Sequence, residues 1–427
     1  LTVTAGTFAT STFNLTLGGA FSITGGTFTS GGTFTCTTLA SSGSTARTLT
    51  IGNTNTSSNS AMNFSGSNCT FTHTSGTTIT SNSANTTLAG NGYTFYNVTM
   101  SSTTLSSLNI TGANTFNNLT ITGRASVGVN LILISANQTI NGTLSINNSS
   151  AAPQRRTQFF SNTYGTPVTI TAATTTLSGV DFRDITCAGT GSWSGTSIGD
   201  CGGNSGLTPS APQVLFYNAA AALPWTGTVW ATSPTGAPAA INFPLAQDYA
   251  VFTNNNPPSG TIGLTTAFSY PTFDFSSRTL ALSATFTTTN IYGSLILSSA
   301  ITPTSGTLTF SGRSTTQTID LAGKSWGSAT IVSAIGGTVS LLSAYTSTQA
   351  FTVSNGTYNT GGYSHTSTGL SVAAGSTLTL GSSTVTLTAA SGFSNNASST
   401  INAGTSTITL TSASPKTFNG AGKTYYN

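Results

Sequence analysis

Charge is what this sequence has least of. Of its 427 residues, 10 are Lys or Arg and 6 are acidic, all of them Asp, so charged residues make up 4% of the chain, against about 25% in an average soluble domain. So few cations cannot neutralise several phosphates, which argues against nucleic acid as a partner. The scarcity of Glu, Lys and Arg also disfavours helices. Few titratable side chains remain for catalysis, so we expect a protein that is not an enzyme.

Long apolar runs are missing as well. The longest, residues 127–134, is interrupted by Gly128 and Asn130 and is far shorter than the roughly 20 residues of a spanning helix. We therefore expect no membrane span.

Cysteine is rare, with four residues in the chain. No CxxC or Cys/His spacing suggests a metal site, and no motif suggests a cofactor. Cys187 and Cys201 bracket a loop rich in Gly and Ser, and Cys36 and Cys69 form a second pair in sequence. Two disulfide bonds, Cys187–Cys201 and Cys36–Cys69, would fit an extracellular protein. The alternative is that the four are small buried apolar residues.

Ser and Thr are abundant, with 152 residues together, and Gly adds 47. Short runs such as 13–17, 378–380 and 408–410 alternate apolar and polar residues, and Gly, Asn or Ser follows each of them. This pattern predicts short β-strands throughout. In stacked parallel coils like residues lie on like, so Thr, Ser and Asn suit the outer face whereas Lys or Glu would repel. We predict an all-β chain of parallel β-solenoid (β-helix) modules in tandem; tandem β-sandwiches are the alternative.

Internal repeats support this interpretation. Residues 1–23 align with 351–372, and the final TFNGAGKTYYN (417–427) matches TLAGNGYTFYN (87–97). A looser copy occupies 320–331. We therefore interpret the chain as part of a longer tandem array, and we expect its partners to be further copies of itself or neighbouring repeat modules.

The repeats and a shift in composition divide the chain. We predict a β-solenoid segment at 1–97 and a second module at 98–207 that ends in the Cys-bracketed loop. Residues 208–260 hold eight of the 13 prolines and are expected to form an irregular Pro- and Trp-rich linker or small domain. A β-rich module at 261–350 and the start of the next copy at 351–427 follow.

Three stretches carry a resemblance to known proteins: GNGYTFYNVTM (90–100), TGANTFNNLTIT (111–122) and TLSGVDFRDITCAGTGSWSGTSIGDCGGNSGLT (176–208). They resemble the repetitive β-rich modules of long bacterial surface proteins of the adhesin type and of fibre-like proteins of uncultured tailed phages. The resemblance covers most of the chain in style. It implies an extracellular or virion-borne structural fibre, without a catalytic motif to transfer.

The densest charges are Asp181, Arg183 and Asp184, with Asp200 nearby. A carboxylate pair on a β-helix face could serve as acid and base in a polysaccharide depolymerase. The alternative is an Arg183 salt bridge to one aspartate at a coil edge, with Asp184 or Asp200 tying down the Cys-bracketed loop. A calcium site on Asp181, Asp184 and Asp200 is disfavoured by the lack of a ligand motif.

Trp225 and Trp230 could stack on sugars of cell-surface glycans, or they could pack in the core. His73 and His365 have no Ser/Asp partners in sequence. The Gly-Lys pairs at 323–324 and 422–423 lack the first glycine of a P-loop and are interpreted as turns.

The sequence thus favours a non-enzymatic structural fibre or filament component, extracellular or at a cell or virion surface, that serves scaffolding or adhesion. A phage tail-fibre-like protein for host attachment and a depolymerase are the alternatives.

Overall fold

A computed structural model describes residues 1–52, 55–73, 76, 78–81, 84–148, 152–255, 259–264, 267–287, 289–304 and 306–426, with the backbone alone for 55–61. The fold is all-β, without a helix in these ranges, and forms a parallel β-solenoid of about 18 turns. The predicted solenoid is confirmed. Two compact units divide the chain: unit 1 comprises 1–199 and 203–210, and unit 2 comprises 200–202 and 211–427.

The strands of unit 1 form a 17-stranded sheet and a four-stranded sheet, the latter made of β2, β5, β7 and β9. Their bounds are β1 (Thr2–Val3), β2 (Thr7–Ala9), β3 (Leu15–Thr16), β4 (Phe21–Ile23), β5 (Gly26–Ser30), β6 (Phe34–Ser41), β7 (Arg47–Ile51), β8 (Asn55–Phe64), β9 (Cys69–His73), β10 (Thr78–Ser81), β11 (Asn85–Ala89), β12 (Thr94–Met100), β13 (Ser107–Thr111), β14 (Thr115–Thr122), β15 (Gly128–Ile134), β16 (Gln138–Asn147), β17 (Arg155–Ser161), β18 (Val168–Ser178), β19 (Val180–Arg183), β20 (Ile185–Ala188) and, at the boundary, β21 (Gly199–Asp200).

The strands of unit 2 form a 19-stranded sheet and a three-stranded sheet, the latter made of β25, β28 and β31. Their bounds are β22 (Val214–Tyr217), β23 (Trp230–Ala231), β24 (Tyr249–Val251), β25 (Thr261–Leu264), β26 (Ser269–Tyr270), β27 (Thr272–Asp274), β28 (Leu282–Phe286), β29 (Thr289–Ile291), β30 (Leu295–Ile296), β31 (Ile301–Thr304), β32 (Leu308–Phe310), β33 (Thr316–Asp320), β34 (Ser325–Trp326), β35 (Thr330–Leu341), β36 (Tyr345–Ser347), β37 (Phe351–Asn359), β38 (His365–Val372), β39 (Thr377–Thr379), β40 (Thr384–Asn395), β41 (Thr400–Asn402), β42 (Thr407–Leu410) and β43 (Phe418–Asn419).

Successive coils place like residues on like, because most strands pair in parallel with the equivalent strand one coil later. Outward positions form polar ladders on both units. On the four-stranded sheet one ladder contains Thr7, Thr27, Thr48 and Thr70. In unit 2 another contains Thr316, Thr338, Thr357, Thr377 and Thr400. Neighbouring hydroxyls can hydrogen-bond, as Thr50 and Thr72 do at 2.7 Å, and neither ladder juxtaposes like charges.

Inward positions form apolar ladders in the same register. In unit 1 one of them contains Met100, Ile121, Ile146 and Leu177, each with at most 5% of its surface exposed. Fully burying such a side chain stabilises a fold by roughly 1.5–3 kcal/mol. Alternation of Thr with Ile or Leu in the sequence therefore gives each strand two faces: an inward apolar face in the core and an outward polar face without charge.

The repeated sequences adopt the same local structure. Val3 pairs with Ile23, and the aligned Val353 pairs with Val372. Turns of one kind occur at 90–93, 321–324 and 420–423, each closed by a backbone hydrogen bond of 2.9–3.0 Å from the fourth residue to the first.

The central residues of these three turns have positive φ, for example +48° at Ala322 and +78° at Gly323. Two successive positive φ values define a type I′ turn, so the Gly-Lys pairs are turns, as predicted. Asn427, which aligned with Asn97, lies outside the described residues.

The Pro- and Trp-rich stretch at 208–260 belongs to unit 2 from residue 211 onward. It contributes β22, β23 and β24 to the 19-stranded sheet. β22 and β23 pair antiparallel, whereas β22 and β24 pair in parallel. Its irregularity is local, and most of its aromatic side chains, among them Tyr217, Trp225 and Trp230, are buried in the unit 2 core.

Candidate functional site

The charged cluster predicted around Asp181 centres on an arginine that the sequence did not single out as its partner. Asp181 lies on β19 and pairs in register with Gln158 of β17. Arg156 lies two residues before Gln158 on β17, so its side chain is on the same face of the sheet as Asp181. The Arg156 guanidinium binds both Asp181 carboxylate oxygens. Its third nitrogen donates to the Ser197 carbonyl at 2.9 Å. Both side chains are buried, with 1% and 2% of their residue surfaces exposed.

Arg183 and Asp184 form a second contact, which anchors the loop at 162–166. The Arg183 guanidinium lies 4.2 Å from the Phe160 ring centre and 4.9 Å from that of Tyr164. Asp184 has φ of +56°, and its Oδ2 atom accepts a hydrogen bond from the Gly165 amide at 2.9 Å and lies 3.7 Å from Arg183 Nε. The Arg183–Asp184 contact agrees with the expected salt bridge, but Asp184 holds the loop at 162–166 and not the Cys-bracketed loop.

Neither carboxylate can reach a polymer. Asp181 has 2% of its surface exposed and Asp184 has none, so an acid–base pair for glycoside cleavage would have no access to substrate. Asp200 belongs to unit 2, where its Oδ1 atom accepts a hydrogen bond from the Gly202 amide at 2.8 Å. In the described part of the chain, no group of three or more His, Cys, Asp or Glu side chains is placed to hold a metal ion.

Trp225 and Trp230 are core residues, as the second of the two interpretations of the sequence has it, and they do not form a sugar-stacking platform. Trp225 and Trp230 expose 1% and 0% of their surfaces and pack against each other with ring centres 4.6 Å apart. Trp225 also contacts Tyr270 and Phe273 at 5.1 and 5.4 Å. A sugar-stacking platform needs exposed aromatic rings, whereas these rings are packed inside the core of unit 2.

Neither predicted disulfide bond is formed. Cys36 lies on β6 with its side chain in the core, whereas Cys69 lies half-buried on β9 of the four-stranded sheet. Burial raises the pKa of the Cys36 thiol to about 11. Cys187 is a core residue of unit 1, and Cys201 belongs to unit 2. The cysteines thus follow the alternative interpretation as small buried residues, with Cys69 only partly so.

Unit 2 contains a buried polar network that the sequence did not indicate. His365 is fully buried; its Nδ1 atom lies 2.8 Å from the Tyr358 hydroxyl and its Nε2 atom 2.9 Å from the Ser367 hydroxyl. Tyr345 stacks on the imidazole at 5.0 Å. Burial lowers the pKa of His365 to about 3, so the ring stays neutral. Without access to solvent this arrangement resembles a core network more than a nucleophilic site.

The open polar surface of unit 2 contains two shallow grooves. We call the first the Ser groove; it has a volume of about 300 Å³, and its lining includes Thr352, Ser371, Val372, Ser394, Asn396 and Asn419. We call the second the Gly groove; it has a volume of about 370 Å³, and its lining includes Gly336, Thr338, Gly356, Thr357, Gly375 and Thr377. No ionisable residue lines either groove.

Three of the residues that line the Gly groove are glycines with a left-handed backbone. Gly336, Gly356 and Gly375 have φ values of +69°, +79° and +72°. A Cβ atom on Gly356 would lie 2.0 Å from the Ala334 carbonyl oxygen. Gly356 is therefore fixed both by its conformation and by the close approach of the neighbouring coil.

Comparisons with known proteins found no matching family model, no similar curated protein and no similar solved structure. No helix long and apolar enough to cross a membrane occurs among the described residues.

Proposed function

We propose that this chain is a non-enzymatic structural element, extracellular or at a cell or virion surface, that serves as a scaffold or in adhesion. The observation that carries the proposal is the stacking of outward Thr, Ser and Asn in uninterrupted ladders, such as the five-residue ladder from Thr316 to Thr400. These ladders give each unit a neutral hydrogen-bonded exterior over an apolar interior.

The treatment of charge supports this role. The closest ion pair, Arg156–Asp181, is buried and holds two neighbouring coils together. Surface ion pairs weaken with salt, whereas a neutral ladder does not depend on ionic strength. A protein built this way suits exposure to variable surroundings, which favours the extracellular placement.

Further coils would extend the same architecture, which is why we propose copies of this chain or neighbouring repeat modules as partners. Each unit has exposed aromatic side chains: Phe13 in unit 1 exposes 75% of its surface and Tyr426 in unit 2 exposes 61%. Contact with another repeat module would cover such rings.

Single-molecule force spectroscopy tests the mechanical role. We expect two successive unfolding events, one for each unit, at forces that change little between 0.05 and about 1 M NaCl because few exposed ion pairs exist to be screened. Unfolding at forces no higher than those of a similar-sized enzyme domain, or forces that fall steeply with salt, would contradict the proposal.

The depolymerase alternative receives no support from the positions of Asp181 and Asp184, because both are buried. A reducing-end assay with a panel of polysaccharides checks it directly, and release of reducing ends by the wild-type chain would replace our proposal. For the phage-fibre alternative, analytical ultracentrifugation supplies the criterion, since a stable trimer would favour a virion fibre.

A further inference from the structure

The Ser groove and the Gly groove lie next to each other around one corner of unit 2. Ala373 lines the first and Ala374 lines the second, so the two grooves adjoin at this peptide bond. Strand β37 contributes residues to both grooves. The two grooves are therefore neighbours on the surface of unit 2.

The Ser groove is a ladder of hydrogen-bonding groups. Thr352 pairs in register with Ser371, Ser371 with Ser394, and Ser394 with Asn419. Parallel strands lie about 4.8 Å apart, so these four rungs extend over roughly 14 Å. The half-buried Ala373 adds apolar surface beside the rungs, whereas Val372 exposes only 3% of its surface. A ligand in this groove would meet hydroxyl or amide groups at even intervals, with methyl groups next to them.

The Gly groove repeats this arrangement. Thr338, Thr357 and Thr377 stack in register along its side, and the glycines leave room above the backbone. A Cβ atom at Gly375 would meet no atom within 4 Å, so the surface beside this glycine is open.

The lining selects the chemistry of the ligand. Without a cation in either groove, a phosphate or carboxylate would lose its hydration for no compensating partner. A peptide strand would need a free sheet edge, but β37 is paired with β35, β38 and β39. A neutral chain rich in hydroxyl groups fits, because hydroxyls and amides both donate and accept, and sugar C–H faces can lie on the accessible Ala373 and Ala374.

We propose that the two grooves together bind a neutral polysaccharide. The proposal deepens the scaffold role suggested above, on which it rests, by supplying the adhesive contact. No aromatic ring lines either groove, so each module binds weakly. Repetition of modules along an array would then raise the avidity without new contacts.

Biolayer interferometry with the immobilised full chain tests this inference. The probes are dextran and galactomannan, as soluble neutral polymers, and alginate of matched mass as the anionic polymer, all in 0.15 M NaCl. We expect at least one neutral polymer to bind and alginate to bind more weakly. Equal or stronger binding of alginate, or no binding of either neutral polymer, would overturn the proposal.

Matched variants locate the site. Ser371 and Thr366 are both half-buried outward residues on β38 with Thr or Ser as ladder neighbours, but only Ser371 lines a groove. Ser371→Leu should weaken binding of the neutral polymer about two- to tenfold, the value of one neutral hydrogen bond. Thr357→Leu in the Gly groove should act likewise, whereas Thr366→Leu should leave binding unchanged.

An equal loss in the Thr366→Leu control, at matched thermal stability, would place binding elsewhere and overturn the proposal. Failure of the scaffold role is distinguishable, because it appears in the unfolding forces, and these do not depend on whether a glycan binds.

Discussion

Replacing Asp181 by Ala should destabilise unit 1 strongly. The change would leave the Arg156 guanidinium, of which 1% of the residue surface is exposed, without its carboxylate partner. Breaking a buried ion pair in this way typically costs about 3–5 kcal/mol. Arg156 keeps its hydrogen bond to the Ser197 carbonyl, so we expect a value near the lower end, about 3 kcal/mol.

The measurement has to separate the two units, because one transition need not report on both. Hydrogen exchange with mass spectrometry under increasing urea follows peptides of unit 1 and unit 2 in the same sample. Asp181→Ala should lower the opening free energy of peptides from β17 to β19 and leave those of unit 2 unchanged. Arg155→Met, which changes the adjacent half-buried arginine, is the matched control and should cost under about 1 kcal/mol.

A double-mutant cycle makes the reasoning refutable. Arg156→Met combined with Asp181→Ala removes both charges, so it should cost clearly less than the two single changes added together. A cost of under about 1 kcal/mol for Asp181→Ala would show that water reaches the pair. Strictly additive costs would show that the two side chains do not interact.

Three further outcomes follow from groups described above. Burial holds the pKa of His365 near 3, against an ordinary 6.5, so only the unfolded state gains a proton between these pH values. The free energy of unfolding of unit 2 should therefore fall by up to about 1.4 kcal/mol per pH unit on acidification through this range. His365→Phe should remove this pH dependence in urea titrations. Ala322 has φ of +48°, a conformation that Asn adopts more easily than Ala and that Asn91 occupies in the matching turn. Ala322→Asn should therefore raise the stability of unit 2 by about 1 kcal/mol in thermal unfolding. A loss of stability would contradict the turn assignment. The Cys36 thiol is buried and its pKa is near 11. Cys36 should therefore resist iodoacetamide at pH 8 while Cys69 reacts, which peptide mass spectrometry can measure. Early labelling of Cys36 would refute its core position.

The architecture was predictable because the relevant signals are local. Alternation in runs such as 378–380 places Leu378 inward and its flanking threonines outward, and a chain without like charges to repel can stack such runs in parallel. The aligned Gly6 and Gly356 both have positive φ, so the repeat predicted equivalent corners as well.

The partners across coils were not predictable, because the coil length varies. Ile79 pairs with Val98, 19 residues later, whereas Gln138 pairs with Ile170, 32 residues later. Because the length of each coil is not known from the sequence, nothing in the sequence indicates that Arg156 contacts Asp181. From the sequence alone, the Arg155–Arg156 doublet would be interpreted as part of a solvated loop.

The burial of Trp225 and Trp230 was equally hidden. An aromatic residue in a Pro-rich stretch fits a surface platform and a core alike, and only the surrounding rings decide between them. The two grooves depend on which strands become neighbours, so they too follow from the register.

The parallel ladders have a consequence for how the chain acquires its structure. Ladder partners are separated by one coil, such as 20 residues between Thr2 and Ser22 or 25 between Phe393 and Phe418, a small fraction of the chain. Each coil needs only its predecessor as a template, so ordering can advance along the chain in the direction of synthesis or export. Every newly emerged segment would be stabilised as soon as about one coil of it is free, long before the rest of the protein exists.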